Sequence, residues 1–277
     1  MMQSKSYGKL LTSMPPGFEI GGRFFWQAKE LLGEGFFLLG EEEYRRDAFM
    51  DTLLDTMLKC HAMEYHMGNF VMFETEFLAQ VESGTQGYFR SHTLFFEVEA
   101  FLFQLKSALD VGIKLLGILI PNRFRVITFE GKGATLRRAL EQYQKDASAK
   151  KDLAAHLSAM LQDDRDSWLE KAIDLRDQVS HYRTLGGFEY LGVNHDGQRS
   201  LKTPTILGVP PVDFLRTTYQ NCIEFLQDFM CLSIGMALPS TFTIGVRSGP
   251  TRVGEPIAQY IKFGLGTLQQ DAESKQP

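Results

Sequence analysis

Cysteine is scarce in this chain: Cys60, Cys222 and Cys231 in 277 residues, an odd count with no Cys-x-x-Cys spacing. That set does not make a disulfide-stapled scaffold, and the expectation is reduced, buried thiols in a cytoplasmic protein. Long uncharged runs are also missing. The most hydrophobic stretch, Thr93 to Ile120, carries Glu97, Glu99, Lys106, Asp110 and Lys114. Those charges are too many for a membrane span, so a buried helix and no membrane partner are expected. Residues Met1 to Tyr7 lack the apolar core of a signal peptide. Positive charge is not in excess either: 29 Lys and Arg stand against 34 Asp and Glu, a net charge of −5. A nucleic-acid site, if there is one, must therefore be a local patch. The glycine-rich run from Gly35 to Gly40 has neither phosphate-loop spacing nor a Lys-Ser/Thr ending, and reads as a linker.

What is present is ordinary globular chemistry, 44% hydrophobic and 23% charged. The length allows one large domain or two small ones, and no internal repeat divides it. The pattern predicts an all-α helical bundle with a small β-hairpin inserted before the last long helix. Residues 1–40 form an N-terminal segment with a short helix from Arg23 to Leu32, residues 41–238 the bundle, and residues 239–277 an extension ending in a mobile tail. From Glu42 to Glu82 there is no proline and one glycine, Gly68, which predicts one long helix or two with a kink there. Gly84 to Gly87 reads as a turn, after which Ser91 can cap a second helix running to about Leu119, stopped by Pro121. Further helical segments are expected over 134–162 and 212–238. Between them, Phe188 to Val193 and Thr205 to Val209 read as the two strands of the insert, and Thr241 to Val246 as a strand after the last helix.

One helix holds the candidate chemistry. Ser167 followed by Glu170 reads as a capping box, and Gly186-Gly187 as a stop. Trp168, Ala172, Leu175, Val179 and Tyr182 recur at spacings of four, three, four and three, which is a helical apolar stripe. With that stripe at ~0° and ~100° per residue, Arg176 falls near ~80°, Asp177 near ~180° and His181 near ~220°. None of the three sits on the stripe, and Ser180 lies on the arc between them. The motif therefore needs a second surface, and a homodimer partner is the simplest. His181 near the helix C-terminus is placed where the dipole favours imidazolium, which suits proton transfer and equally suits an inert surface histidine.

Two other groups of residues compete for attention. Cys60-His61-x-x-Glu64-x-His66 invites a metal, but His61 and His66 are five apart, where ligands on one helix face want three or four. No metal and no cofactor are expected. Between 121 and 151, Arg123, Arg125, Arg137, Arg138 and four lysines outnumber Glu130, Glu141 and Asp146. Such a run is usually a solvated helix face, yet the four arginines are the best candidates for RNA phosphate contacts. Asp110 shares a helix face with Glu99 and Lys106. It can pair with Lys106 or, like Glu97, receive Arg176 from a neighbouring helix; the Lys106 pairing is favoured.

Arg176-Asp177-x-x-x-His181, on one of several long helices with a further apolar helix after it, resembles the HEPN superfamily of all-helical bundles. The family motif is an Arg, four to six residues, then a His, usually with a polar residue straight after the Arg. Arg176, Asp177 and His181 match those positions, and the Ala108-Leu109-Asp110 run also looks like family members. The resemblance covers roughly residues 92–238. The strand-forming insert and the long N-terminal helix depart from the family pattern. The resemblance implies metal-independent cleavage of RNA, commonly in phage defence or toxin–antitoxin systems with an antitoxin partner, at two motifs facing each other in a homodimer. In that role His181 is the general acid or base, Arg176 stabilises phosphoryl charge and Asp177 orients either one. Some family members are instead non-catalytic dimeric interaction or scaffold domains. A bundle with an unrelated small-ligand pocket is the third reading.

Overall fold

The computed structural model describes residues 42–82, 87–125, 128–146, 150–181, 185, 188–195, 198–238, 242–250 and 256–265. The short helix expected over Arg23 to Leu32, the linker over Gly35 to Gly40, and Gly186-Gly187 lie outside them. The molecule is a helical bundle, as the periodicity predicts. No helix among the described residues is long and apolar enough to cross a membrane.

Helix α1, Glu43–Glu82, is a single 40-residue helix. It runs through Gly68 without interruption, so the two-helix alternative is not what forms. Phe49, Leu53, Met57, Cys60, Met63 and Phe70 are buried along one side of it. Spacings of three, four and seven keep these six on one helical stripe. Its main packing partner is α2, His92–Gly112. Ser91 caps α2 as expected, its Oγ accepting the Leu94 N–H at 3.4 Å. The apolar run then breaks at Ile113 and resumes as the short α3, Lys114–Leu119. Arg45 of α1 donates to the carbonyls of Ile118, at 2.6 Å through Nη2, and of Leu119, at 3.2 Å. The exposed carbonyls at the end of α3 are thus bonded by a distant side chain.

Two helices follow where one segment was expected: α4, Ala134–Asp146, and α5, Lys151–Asp164. A tight 3-10 turn, Glu130–Gly133, precedes α4. Helix α5 runs straight on through a π-turn, Arg165–Leu169, into α6, Glu170–His181. Ser167 therefore caps nothing. Its Oγ donates back to the Asp163 carbonyl at 2.7 Å, inside a continuing helix. The capping-box pattern lost because the preceding residues are themselves helical, and a serine hydroxyl in mid-helix bonds four residues back.

The last helix, α7, Pro211–Ala237, closes the bundle against α1, α2, α3 and α5. Phe214, Leu215, Tyr219, Cys222, Phe225, Leu226, Phe229 and Met230 are buried along it, as its periodicity predicts. Helices α2 and α7 meet closely at Gly112, where an added Cβ would lie 2.6 Å from Leu226 Cδ2. All three cysteine thiols are buried and none is in a disulfide.

The insert before α7 is a hairpin of β2, Tyr190–His195, and β3, Gln198–Lys202. The second strand was expected at Thr205 to Val209, and that placement is wrong. Ile206 and Val209 exchange backbone bonds of 2.9 and 3.1 Å across Leu207 and Gly208, whose φ angles are +50° and +85°. Two successive positive φ values make a tight reversal rather than a strand. A third strand, β1, Gly87–Phe89, joins the sheet beside β2 and was not expected. After α7, the anticipated strand is β4, Phe242–Pro250, but it pairs with β5, Pro256–Leu265, inside the part read as polar tail. A lone strand of modest apolarity has no local signature when its neighbour supplies the pairing.

Candidate active site on helix α6

Helix α6 buries Ala172, Ile173, Leu175 and Val179, and its packing partner is α2. That is the expected stripe, widened by Leu169 and Ile173. Trp168 is only partly buried and donates its Nε1 to Asp164 Oδ1 at 2.7 Å. Burial raises the Asp164 pKa, and the Trp168 bond offsets this only in part, with Asp228, Asp163 and Glu224 adding to the rise. Tyr182 lies outside the described residues.

Leu169 and Ile173 lie at ~100° and ~140° from the stripe, so the widened buried face takes in the Arg176 position at ~80°, and Asp177 stands at its edge. The Arg176 side chain is 25% exposed and that of Asp177 46%. Arg176 Nη1 donates to Asp177 Oδ1 at 2.6 Å, and the guanidinium carbon lies 5.4 Å from the centroid of the Phe103 ring on α2. An arginine over an aromatic face is attracted by the ring quadrupole, so Phe103 and Asp177 together hold the guanidinium. Its Nε is buried and donates to no acceptor among the described residues. Ser180 Oγ donates to the Asp177 carbonyl at 3.1 Å. His181 closes the helix, and only its backbone is described. Five residues on a helix turn through ~500°, so positions 176 and 181 stand ~140° apart around the α6 axis.

The acids that were alternatives for Arg176 are taken elsewhere. Asp110 Oδ1 receives Lys106 Nζ at 2.5 Å and the Phe129 backbone N–H at 2.6 Å. Glu97 Oε2 lies 2.7 Å from His66 Nδ1. The favoured Lys106 pairing is the one that forms, and Asp110 does not reach Arg176. His61 lies 3.9 Å from Glu64, and burial lowers its pKa. Among the described residues no group of three or more His, Cys, Asp or Glu is placed to hold a metal ion.

Arg123, Lys132 and Arg137 of the basic run are paired with acids within the fold. Arg123 pairs with Asp146 at 3.5 Å, and Arg137 with Glu141 at 3.5 Å. Arg138 Nε donates to the Ala134 carbonyl at 3.4 Å, and Arg125 is exposed. Lys132 reaches α6 itself, with Asp174 at 2.6 Å and Glu170 at 3.0 Å. Burial pulls its pKa down, but the hydrogen bonds and charges of Asp174 and Glu170 win and the net shift is upward. The patch is thereby tied to the first turns of α6, while the motif occupies the last. Phe103, Glu170 and Asp174 were not legible as neighbours of these basic groups; the only trace is the i,i+4 spacing of the two acids on one helix face.

No protein-family model, curated protein or solved structure matches this chain.

Proposed function

We propose that the chain is a HEPN-type metal-independent endoribonuclease, working as a homodimer in which the motif of each copy is half of the active site. The observation that carries the reading is the state of Arg176. The guanidinium stands part-buried at the α6–α2 contact, held by Asp177 and Phe103. Asp110 and Glu97 have other partners. A guanidinium so held has donors left for the equatorial oxygens of a phosphoryl group. His181 takes the proton of the ribose 2′-OH as that oxygen attacks phosphorus, or returns one to the leaving 5′-oxygen. The P–O5′ bond breaks, giving a 2′,3′-cyclic phosphate and a 5′-OH. The ~140° between the two helix positions argues for completion across two copies rather than within one. Arg125 and Arg138, exposed members of the basic run with no ion pair to an acid among those described above, are the candidates for RNA backbone contacts. Phage defence or a toxin–antitoxin pair, with an antitoxin partner, is the setting this activity suits.

The test is cleavage of single-stranded RNA by purified protein in EDTA, with the product ends identified. The expected result is a 2′,3′-cyclic phosphate, lost in Arg176→Ala and in His181→Ala. Cleavage that survives both substitutions removes the assignment, and a strictly monomeric solution mass removes the shared site.

A second reading is favoured by the short Arg176–Asp177 pair, which already engages the guanidinium within its own helix. On that reading the chain is a non-catalytic HEPN-like dimeric interaction module. It predicts a dimer that leaves RNA intact, and whose association weakens when Arg176 is replaced.

A further inference from the structure

Helix α1 buries one side in the bundle and leaves the other in solvent. Leu58, Tyr65 and Met72 stand on that outer side, 48%, 60% and 49% exposed. They are spaced by seven, which keeps all three within ~20° of one line along the helix. Large apolar groups scattered singly on a surface are ordinary, but three in one line down a long helix make a narrow apolar seam against which a second helix can lie. Gly68 lies beside the seam with nothing within 4 Å of its Cβ position, so the backbone there is open to close approach.

The charges around the seam are of one sign. Asp47 and Asp51 before it and Glu76 after it are exposed and, together with the seam, fall within one ~60° arc. No exposed residue of α1 among the described side chains is Lys or Arg; Arg45, Arg46 and Lys59 are all half-buried. Two copies of this face brought together would therefore set carboxylates near carboxylates with no cation between them. A partner of opposite charge removes that penalty and gains from it.

We infer that the outer face of α1 is a docking surface for a basic amphipathic helix of another protein. The helix it fits has large apolar residues in its centre at seven-residue spacing, and Lys or Arg toward both ends. Asp51 and Glu76 are about 38 Å apart along the helix, which sets the length of the partner at roughly seven turns. This inference stands independently of the ribonuclease reading, because none of its residues belongs to the Arg176–His181 motif.

The test uses the full chain and a fluorescein-labelled synthetic peptide of about that length, with leucines on a heptad seam and lysines in its first and last turns. Anisotropy should show saturable, salt-sensitive binding. Tyr65→Glu and the double substitution Asp47→Lys, Asp51→Lys should each weaken it at least tenfold, with the thermal melt unchanged because all three positions are exposed. A scrambled peptide of the same composition should bind at least tenfold more weakly. Equal binding to the scrambled peptide, equal binding by the variants, or no binding overturns the inference. So does a full-chain dimer that dissociates on Tyr65→Glu, since the face would then belong to a second copy.

Discussion

The carboxylate of Asp110 accepts the backbone N–H of Phe129 at 2.6 Å, tying the segment before α4 to the end of α2. The ring of Phe129 is buried and meets Phe225 of α7 edge-on at 6.0 Å between centroids. One acidic side chain thus fixes where a loop enters the core. Asp110→Ala leaves that N–H without its acceptor and Lys106 without its partner. The expected loss is about 1–3 kcal/mol of stability. Asp110→Asn keeps an acceptor and should lose less. Urea unfolding measures both, and RNA cleavage per folded molecule should not change in either variant.

Gly133 makes the same loop sensitive to a single methyl group. Its φ is +84°, and an added Cβ would lie 2.8 Å from Phe129 Cζ. Gly133→Ala combines left-handed strain with overpacking against a buried ring, and should destabilise by about 1–3 kcal/mol. A lower thermal midpoint checks this; an unchanged one would show that the turn relaxes without disturbing Phe129.

Phe103 acts on the motif only through Arg176. Replacing it by Leu keeps the apolar volume and removes the ring face, an interaction of about 0.5–1 kcal/mol. Ribonuclease activity should fall by roughly two- to fivefold, with the fold intact by circular dichroism. A loss as large as that of Arg176→Ala would mean Phe103 does more than position the guanidinium.

Asp164 should give the stability profile a recognisable pH dependence. Burial raises its pKa above the unfolded value, so the native state holds the proton more tightly. Stability is then gained as pH falls through the raised folded value and lost as pH rises through that window. Asp164→Asn keeps an oxygen acceptor for Trp168 Nε1. It should raise the thermal midpoint at neutral pH and flatten the profile in the acid range. A midpoint that drops at neutral pH would show that the charge itself supports the fold.

The elements that were legible in sequence are those whose signal repeats within one helix. Leu53, Met57, Met63 and Phe70 of α1, the stripe of α6 and the apolar side of α7 each follow from 3.6-residue periodicity, although Leu58, which the same period includes, is exposed. The Lys106–Asp110 pair was legible for the same reason, since i,i+4 neighbours touch in any helix. The misplaced second strand of the insert, the unforeseen β1 and β5, and Ser167 inside a π-turn have the opposite origin. A strand needs a neighbour elsewhere in the chain, and a cap needs the residues before it to be non-helical. Neither condition is written in the segment concerned.

The candidate site divides along the same line. That Arg176 and Asp177 lie off the apolar stripe was determined by sequence, because helix geometry assigns an angle to every residue. What Arg176 touches was decided by tertiary structure. The packing of α6 on α2 sets the guanidinium over Phe103, Phe129 claims Asp110, and Lys132 is drawn to Glu170 and Asp174. A residue's direction is a local property of its helix, whereas its partner depends on which faces of two helices the core brings together.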